Sequence, residues 1–310
     1  MKKIVSSLLV LISGFAFSQN ILNAKSPEEF RQLREENQKK VGDSLVSTKI
    51  TPLDYGFIED KDILKSMVVW EIIDMNDKLN QPLYHNSDGL VSQNKSLYQI
   101  LLDAVNSGEI TEVYDDEMFQ TKLSPDAIEA RTHNTVVSDW LIDKINAGET
   151  VSEEDRRAGT DLYETKTENV KLLKIKGMWY IDRRDSQMKY RLLGIAAMGQ
   201  DPSTMGQYAP DGQAIGGQDE LIDLFWIFYP DAREVLANSI VFNSKNLSSD
   251  ITYDDILNAR RFSSIIYKSD NGLGNGVIKD YIPRDADEQL EESERIKAQI
   301  LQMENDMWNY

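Results

Sequence analysis

The chain of 310 residues contains no cysteine and only two histidines, His85 and His133. Without thiols there can be no disulfide framework, so stability has to come from packing of the core. Nor can a soft-metal ligand set be completed, because the two histidines stand 48 positions apart with no HxxxH or HExxH spacing. Basic residues are scarce as well: 34 Lys and Arg face 52 Asp and Glu, a formal charge of −18. That balance argues against nucleic acid or an anionic membrane face as partner, since both call for basic patches. A GxSxG elbow is missing, which removes the usual local sign of a serine hydrolase. The segment SDNGLGNG at residues 269–276 has no closing Glu for an EF-hand and no helix pattern after its glycines for a dinucleotide fingerprint. No cofactor is expected.

What is present begins with an export signal. Lys2 and Lys3 precede an apolar run over residues 4–17, and Ala16, Phe17 and Ser18 have the small-x-small form of a signal-peptidase site. The run is too short to span a bilayer comfortably. Cleavage near Ser18 leaves 310 − 18 = 292 residues and, with two lysines lost, a charge of −20. With no cysteine following the run, the exported chain is expected to carry no lipid anchor.

The stretch LFWIFYPDAR, residues 224–233, reads as a strand covered on both faces that Pro230 terminates. A weaker copy surrounds Trp70, in MVVWEIIDMNDKL, with matched positions persisting at an offset of 156 or 157. The fold class expected is mixed α+β, with two related αβ units. The expected divisions are an N-terminal arm and linker (19–59), a first αβ unit with a central β-hairpin (60–199), a loop (200–217), and a second αβ unit with a C-terminal helix (218–310).

Within that frame, Ser26, Pro27 and Glu29 cap a helix over residues 27–40 whose thin apolar content is Phe30 and Leu33. A short helix is expected near residues 62–67 and a strand through Trp70. Leu97, Ile100, Leu101, Ala104 and Val105 mark one buried face of a helix over 96–106, stopped by Gly108. Residues 110–114 read as a strand, and Ser124 with Pro125 opens a further helix. Residues 139–147 form another, ended by Gly148. Segments 170–176, 178–184 and 188–198, separated by Gly177 and by Asp185, Ser186 and Gln187, make the clearest antiparallel hairpin. A second hairpin is expected from 262–268 and 277–282 around SDNGLGNG, and a long helix over 286–308 with Leu290, Ile296, Ile300, Met303 and Met307 on one face.

Paired acids, Asp115 with Asp116, Glu153 with Glu154 and Asp155, and Asp254 with Asp255, suggest a hydrolase or carbohydrate-binding protein as an alternative. Neighbouring carboxylates on a helix or strand do not face each other as a catalytic pair must. Three arginine pairs, Arg156–Arg157, Arg183–Arg184 and Arg260–Arg261, stand out on so acidic a chain. They either neutralise local acids or receive an acidic loop from a neighbour. Arg183, Arg184, Arg260 and Arg261, with Phe30 and Leu33 of the arm and Ile300, Met303 and Met307 of the last helix, are the candidate partner contacts.

Several separated strings occur in order: WEIIDMNDKLNQPLY, SLYQILLDAVNSGEITEVYDDEMF, MWYIDRRDSQMKYRLLGIAAM, LFWIFYPDAR, NARRFSSIIYK and ESERIKAQILQMENDMWNY. Together they resemble the GldN/PorN family of gliding-motility and type IX secretion proteins, from about Asp60 to Tyr310. The resemblance implies a periplasmic, non-catalytic ring subunit peripheral to the outer membrane. Its implied partners are an outer-membrane lipoprotein of the GldK/PorK type, the periplasmic arm of a GldM/PorM-type motor protein, and copies of itself. It supplies no catalytic motif and no site residues.

Overall fold

A computed structural model of the chain describes residues 51–84, 95–205, 221–241, 251–270 and 275–307. The predicted signal segment, the arm with Phe30 and Leu33, and most of the 200–217 loop lie outside the described residues. The architecture is mixed α+β, built on a seven-stranded antiparallel sheet with a separate two-stranded one. In chain order the strands are β1 (Ile63–Asp74), β2 (Val113–Tyr114), β3 (His133–Val137), β4 (Thr160–Glu164), β5 (Val170–Asp182), β6 (Gln187–Gln200), β7 (Leu221–Phe228), β8 (Ile265–Asp270) and β9 (Asn275–Val277). The helices are α1 (Gln81–Tyr84), α2 (Leu97–Ser107), α3 (Pro125–Thr132), α4 (Asp139–Asn146), α5 (Glu153–Ala158), α6 (Tyr229–Ala237), α7 (Tyr253–Asn258), α8 (Ile278–Tyr281) and α9 (Ala286–Met307).

The large sheet has the order β2-β7-β6-β5-β1-β8-β9, so both Trp-centred stretches contribute to it, with the β5–β6 hairpin between them. Side chains alternate across each strand. Ile73, Leu173, Ile175, Ile195, Phe225 and Ile227 therefore fall on one face, in the main core with α2, α6 and α7. Trp70, Ala196 and Trp226 fall on the other, joined by Tyr114. LFWIFY is apolar throughout because β7 is covered on both sides, and α6 begins directly after it with Pro230 in its first turn.

Local signals explain the helix limits. Ser96 accepts from Gln99 N at 3.2 Å at the start of α2, and Gly108 closes it at φ +78, a left-handed conformation glycine adopts without cost. Ser124 caps α3 in the same way. Ser152 with Asp155, and Thr252 with Asp255, form capping boxes at α5 and α7.

Four expectations need correction. Residues 63–67 are strand rather than helix, because β1 extends back to pair with the far end of β5, Ile63 opposite Asp182. The 110–114 strand shrinks to Val113–Tyr114 at the sheet edge. Gly177 does not interrupt β5: it sits at a bulge, where a Cβ would meet the Tyr190 hydroxyl at 2.1 Å, so only glycine lets that ring lie across the strand. Ile278–Tyr281 is a helical turn packed under α9, not the return strand of a hairpin. The β8–β9 hairpin itself is present.

Candidate interaction surfaces

Of the four arginines singled out, two are engaged within the chain. Arg260 donates to both Glu71 oxygens, at 2.9 and 2.7 Å, and Glu71 is 1 % exposed on β1. The guanidinium lies 4.3 Å from the Tyr190 ring centre and 5.3 Å from those of Trp179 and Phe262. Burial opposes its charge, but the Glu71 carboxylate outweighs this and raises the Arg260 pKa. Arg184 grips Asp182 bidentately at 3.0 and 2.8 Å and donates to Phe57 O at 2.7 Å. Arg184 and then Lys189 hold the Asp182 carboxyl well below the usual range. Arg183 and Arg261 are exposed and make no side-chain ion pair among the described residues. Local neutralisation thus accounts for one arginine of each of these two pairs and leaves the other at the surface.

Arginines that sequence reasoning did not select anchor the end of the linker. Arg191 donates to Gly56 O at 2.8 Å and lies 4.9 Å from the Tyr55 ring centre, while Arg233 stacks on that ring at 4.2 Å. Arg233 also pairs with the buried Asp254, which accepts from Tyr229 at 2.7 Å and Asn258 at 2.8 Å. Tyr55 closes the network by donating to Asn258 Oδ1 at 2.5 Å. Burial pushes its phenol up to about 12.

The last helix packs on the chain's own body. Ile296 and Ile300 of α9 cluster with Val69 and Ile266, and Met303 is buried. Ser293 accepts from Ile266 N at 3.0 Å, tying α9 to β8. Ile300 and Met303 therefore face inward, on the helix face that their 3, 4, 7 spacing shares with Ile296. Leu290 and Leu301 remain outside. Met307 ends α9, and its side chain lies outside the described residues.

The acid pairs are dispersed into structural tasks. Asp115 pairs with Arg131 at 2.6 Å, while Asp116 accepts from backbone N–H groups of Met118, Gln120 and Thr121. Glu153 and Glu154 are exposed at the start of α5. Lys144, then Ser152, hold the Asp155 carboxyl down at about 2. Asp254 and Asp255 point to different partners, Arg233 and Thr252. Among the described residues, then, the members of each pair hold different partners or lie exposed, each a structural group in its own place. Among the same described residues there is no group of three metal-ligating side chains, and His133 is engaged with Thr132 at 2.8 Å and Glu164 at 3.6 Å. His85 lies outside the described residues.

Two surfaces stand out instead. The excursion between α3 and β5 forms the two-stranded β3–β4 sheet with α4 and α5, and it exposes Leu162 (66 %), Ile145 (55 %) and Trp140 (45 %) together with Ile142 and Val137. A groove of about 420 Å³ runs between Val137, Leu141, Ile145, Val151, Arg156 and Thr160. A second, more apolar groove of about 720 Å³ lies beside β8, floored by Ile72, Met198 and Tyr267 and bordered by Leu290 at the start of α9. Isolated exposed apolar side chains are ordinary, but contiguous ones mark contact surfaces. α4 could have given the first away, because Trp140, Ile142 and Ile145 crowd one short helix with only Leu141 needed for the interior.

The family model for gliding motility associated protein GldN matches residues 58–309, nearly the whole described body. The chain belongs to the GldN family. Among curated proteins, none matches it. GldN membership makes the chain a component of the gliding-motility and type IX secretion machinery. The matched span holds the large sheet, the β3–β4 excursion and α9, so both grooves lie within the GldN-type body. Among the described residues, no helix is long and apolar enough to cross a membrane.

Proposed function

We propose that this chain is a non-enzymatic periplasmic scaffold subunit, exported by a cleaved signal peptide and held at the inner side of the outer membrane. It forms a ring with an outer-membrane lipoprotein of the GldK/PorK type and contacts the periplasmic arm of a GldM/PorM-type motor protein. GldN membership supports the machinery, and the exposed apolar side chains of residues 137–162 carry the reading of a surface made to be covered. Exposed Arg183 and Arg261, the N-terminal arm with Phe30 and Leu33, and the 200–217 loop are further contact candidates. The test is co-elution of the purified chain with the lipoprotein on size exclusion, repeated with Trp140→Asp and Ile145→Asp. Association by the native chain, lost in the variants at unchanged melting temperature, is the expected result. Absence of association by the native chain removes the reading.

The groove beside β8 favours one second reading, escort of exported chains. A chaperone would bind a permanently unfolded carboxymethylated protein through that groove, and Leu290→Asp would abolish the binding. No binding by the native chain removes it.

A further inference from the structure

The two-stranded sheet has a polarity that the register fixes. Thr165 N donates to Thr132 O at 2.7 Å and Ser138 N to Gly159 O at 2.9 Å, bracketing the pairs from His133↔Glu164 to Val137↔Thr160. Hydrogen-bonded and non-bonded pairs alternate in an antiparallel ladder. The bonded pairs are therefore Asn134/Tyr163 and Val136/Asp161, and the N–H and C=O groups of Thr160, Leu162 and Glu164 point away from β3. Among the described residues no strand pairs with β4 on that side. β3 has the Pro202–Thr204 turn beside it, with Asn134 Nδ2 donating to Ser203 O at 3.4 Å. An isolated two-stranded hairpin is marginal in water, and a flat exposed edge is a template for another strand. The large sheet ends instead in strands of two and three residues, β2 and β9, which offer little to pair with.

Charge selects the occupant. Residues 133–164 carry eight acids against three bases, and Asp161 and Glu164 lie on β4 itself. A second copy adding its own β4, Leu162 opposite Leu162, would bring another segment with the same excess of acids against the first, which like-charge repulsion disfavours. The groove beside Thr160 is lined by Val137, Leu141, Ile145 and Val151 together with Glu149 and Arg156, so an entering apolar side chain would meet four apolar neighbours.

We propose that β4 is an acceptor edge for strand addition. An extended segment of a partner protein, alternating apolar with basic residues, pairs with the backbone of Thr160, Leu162 and Glu164 and seats an apolar side chain in the adjoining groove. This deepens the scaffold reading and rests on it for the existence of a protein partner.

The test uses the full chain and a labelled peptide of about ten residues alternating Lys and Val, with a Glu–Val peptide as control. Leu162→Pro removes only an outward N–H, so the ladder to β3 stays complete and the melting temperature is retained. Expected is binding of the Lys–Val peptide with slowed amide exchange at Thr160, Leu162 and Glu164. Affinity falls about tenfold for Leu162→Pro and about tenfold for the Glu–Val peptide, while Leu162→Thr, which keeps the amide, loses less. No binding by the native chain, equal binding by Leu162→Pro, or protection confined to another segment overturns the proposal. Membership of the assembly is measured separately, by co-elution of the native chain with the lipoprotein, so failure of one reading is distinguishable from failure of the other.

Discussion

Replacing Arg260 with alanine strips the buried Glu71 of two hydrogen bonds, at 2.9 and 2.7 Å, and leaves only the Ser264 hydroxyl against its carboxylate. Breaking a buried pair from one side leaves an uncompensated charge and costs about 3–5 kcal/mol. The same position carries a second, separable penalty, because Arg260 sits at φ +52 without being glycine. Left-handed backbone costs an L-residue about 1–2 kcal/mol, which alanine retains and glycine does not. Arg260→Gly should therefore be about 1 kcal/mol more stable than Arg260→Ala. Adding Glu71→Gln to Arg260→Ala should recover part of the loss, since a neutral amide is cheaper to bury than a lone carboxylate. Urea unfolding of the four proteins at neutral pH, with the m-values compared, measures all three quantities. A cost below about 1 kcal/mol for Arg260→Ala would refute the claim that this pair ties β1 to the segment after α7. Equal stabilities for the alanine and glycine variants would refute the backbone argument alone.

Gly177→Ala drives a Cβ into the Tyr190 ring, itself held 4.9 Å from Trp179, and should cost about 1–3 kcal/mol, with Tyr190→Ala partly suppressing it in the double variant. Ile296→Ala empties a site that is 2 % exposed between α9 and β1 and should cost about 2–5 kcal/mol in a chemical melt; a cost under about 1 kcal/mol would mean α9 is not part of the body. Tyr55 is raised from 10.0 to about 12, and burial also raises Tyr98, Tyr190 and Tyr253, so the folded state holds these protons more tightly than the unfolded one. Stability should be intact below pH 10.0 and fall as pH rises towards about 12, read as a declining urea midpoint; a flat profile across that window contradicts the burial of these phenols.

Much of the framework could be read from residue pattern because the deciding interactions are local. The Ser96 cap, the Gly108 stop and the 3, 4, 7 spacing of α2 lie within one helix, and the turn at Asp185–Ser186 lies within one hairpin. What escaped depended on distant partners. Residues 63–67 become strand because the far half of β5 lies opposite, more than a hundred positions later. Arg184 finds its acid two positions away, in Asp182, as local neutralisation expects, but Arg260 has an acid in reach that only the folded sheet provides, Glu71 in the middle of an apolar strand. The inward direction of Ile300 and Met303 follows from where α9 lands, which no spacing within the helix specifies. The apolar surface of α4 went unselected because an amphipathic pattern shows that a face will be covered without showing by what.

The central claim is that this chain works by being held among other proteins. Native mass measurement of the chain released gently from the cell envelope tests it most directly. The account predicts particles containing many copies together with the lipoprotein, dispersed when Trp140 and Ile145 are both replaced by Asp. A chain released as a free monomer, with those substitutions leaving secretion and gliding untouched, would contradict it.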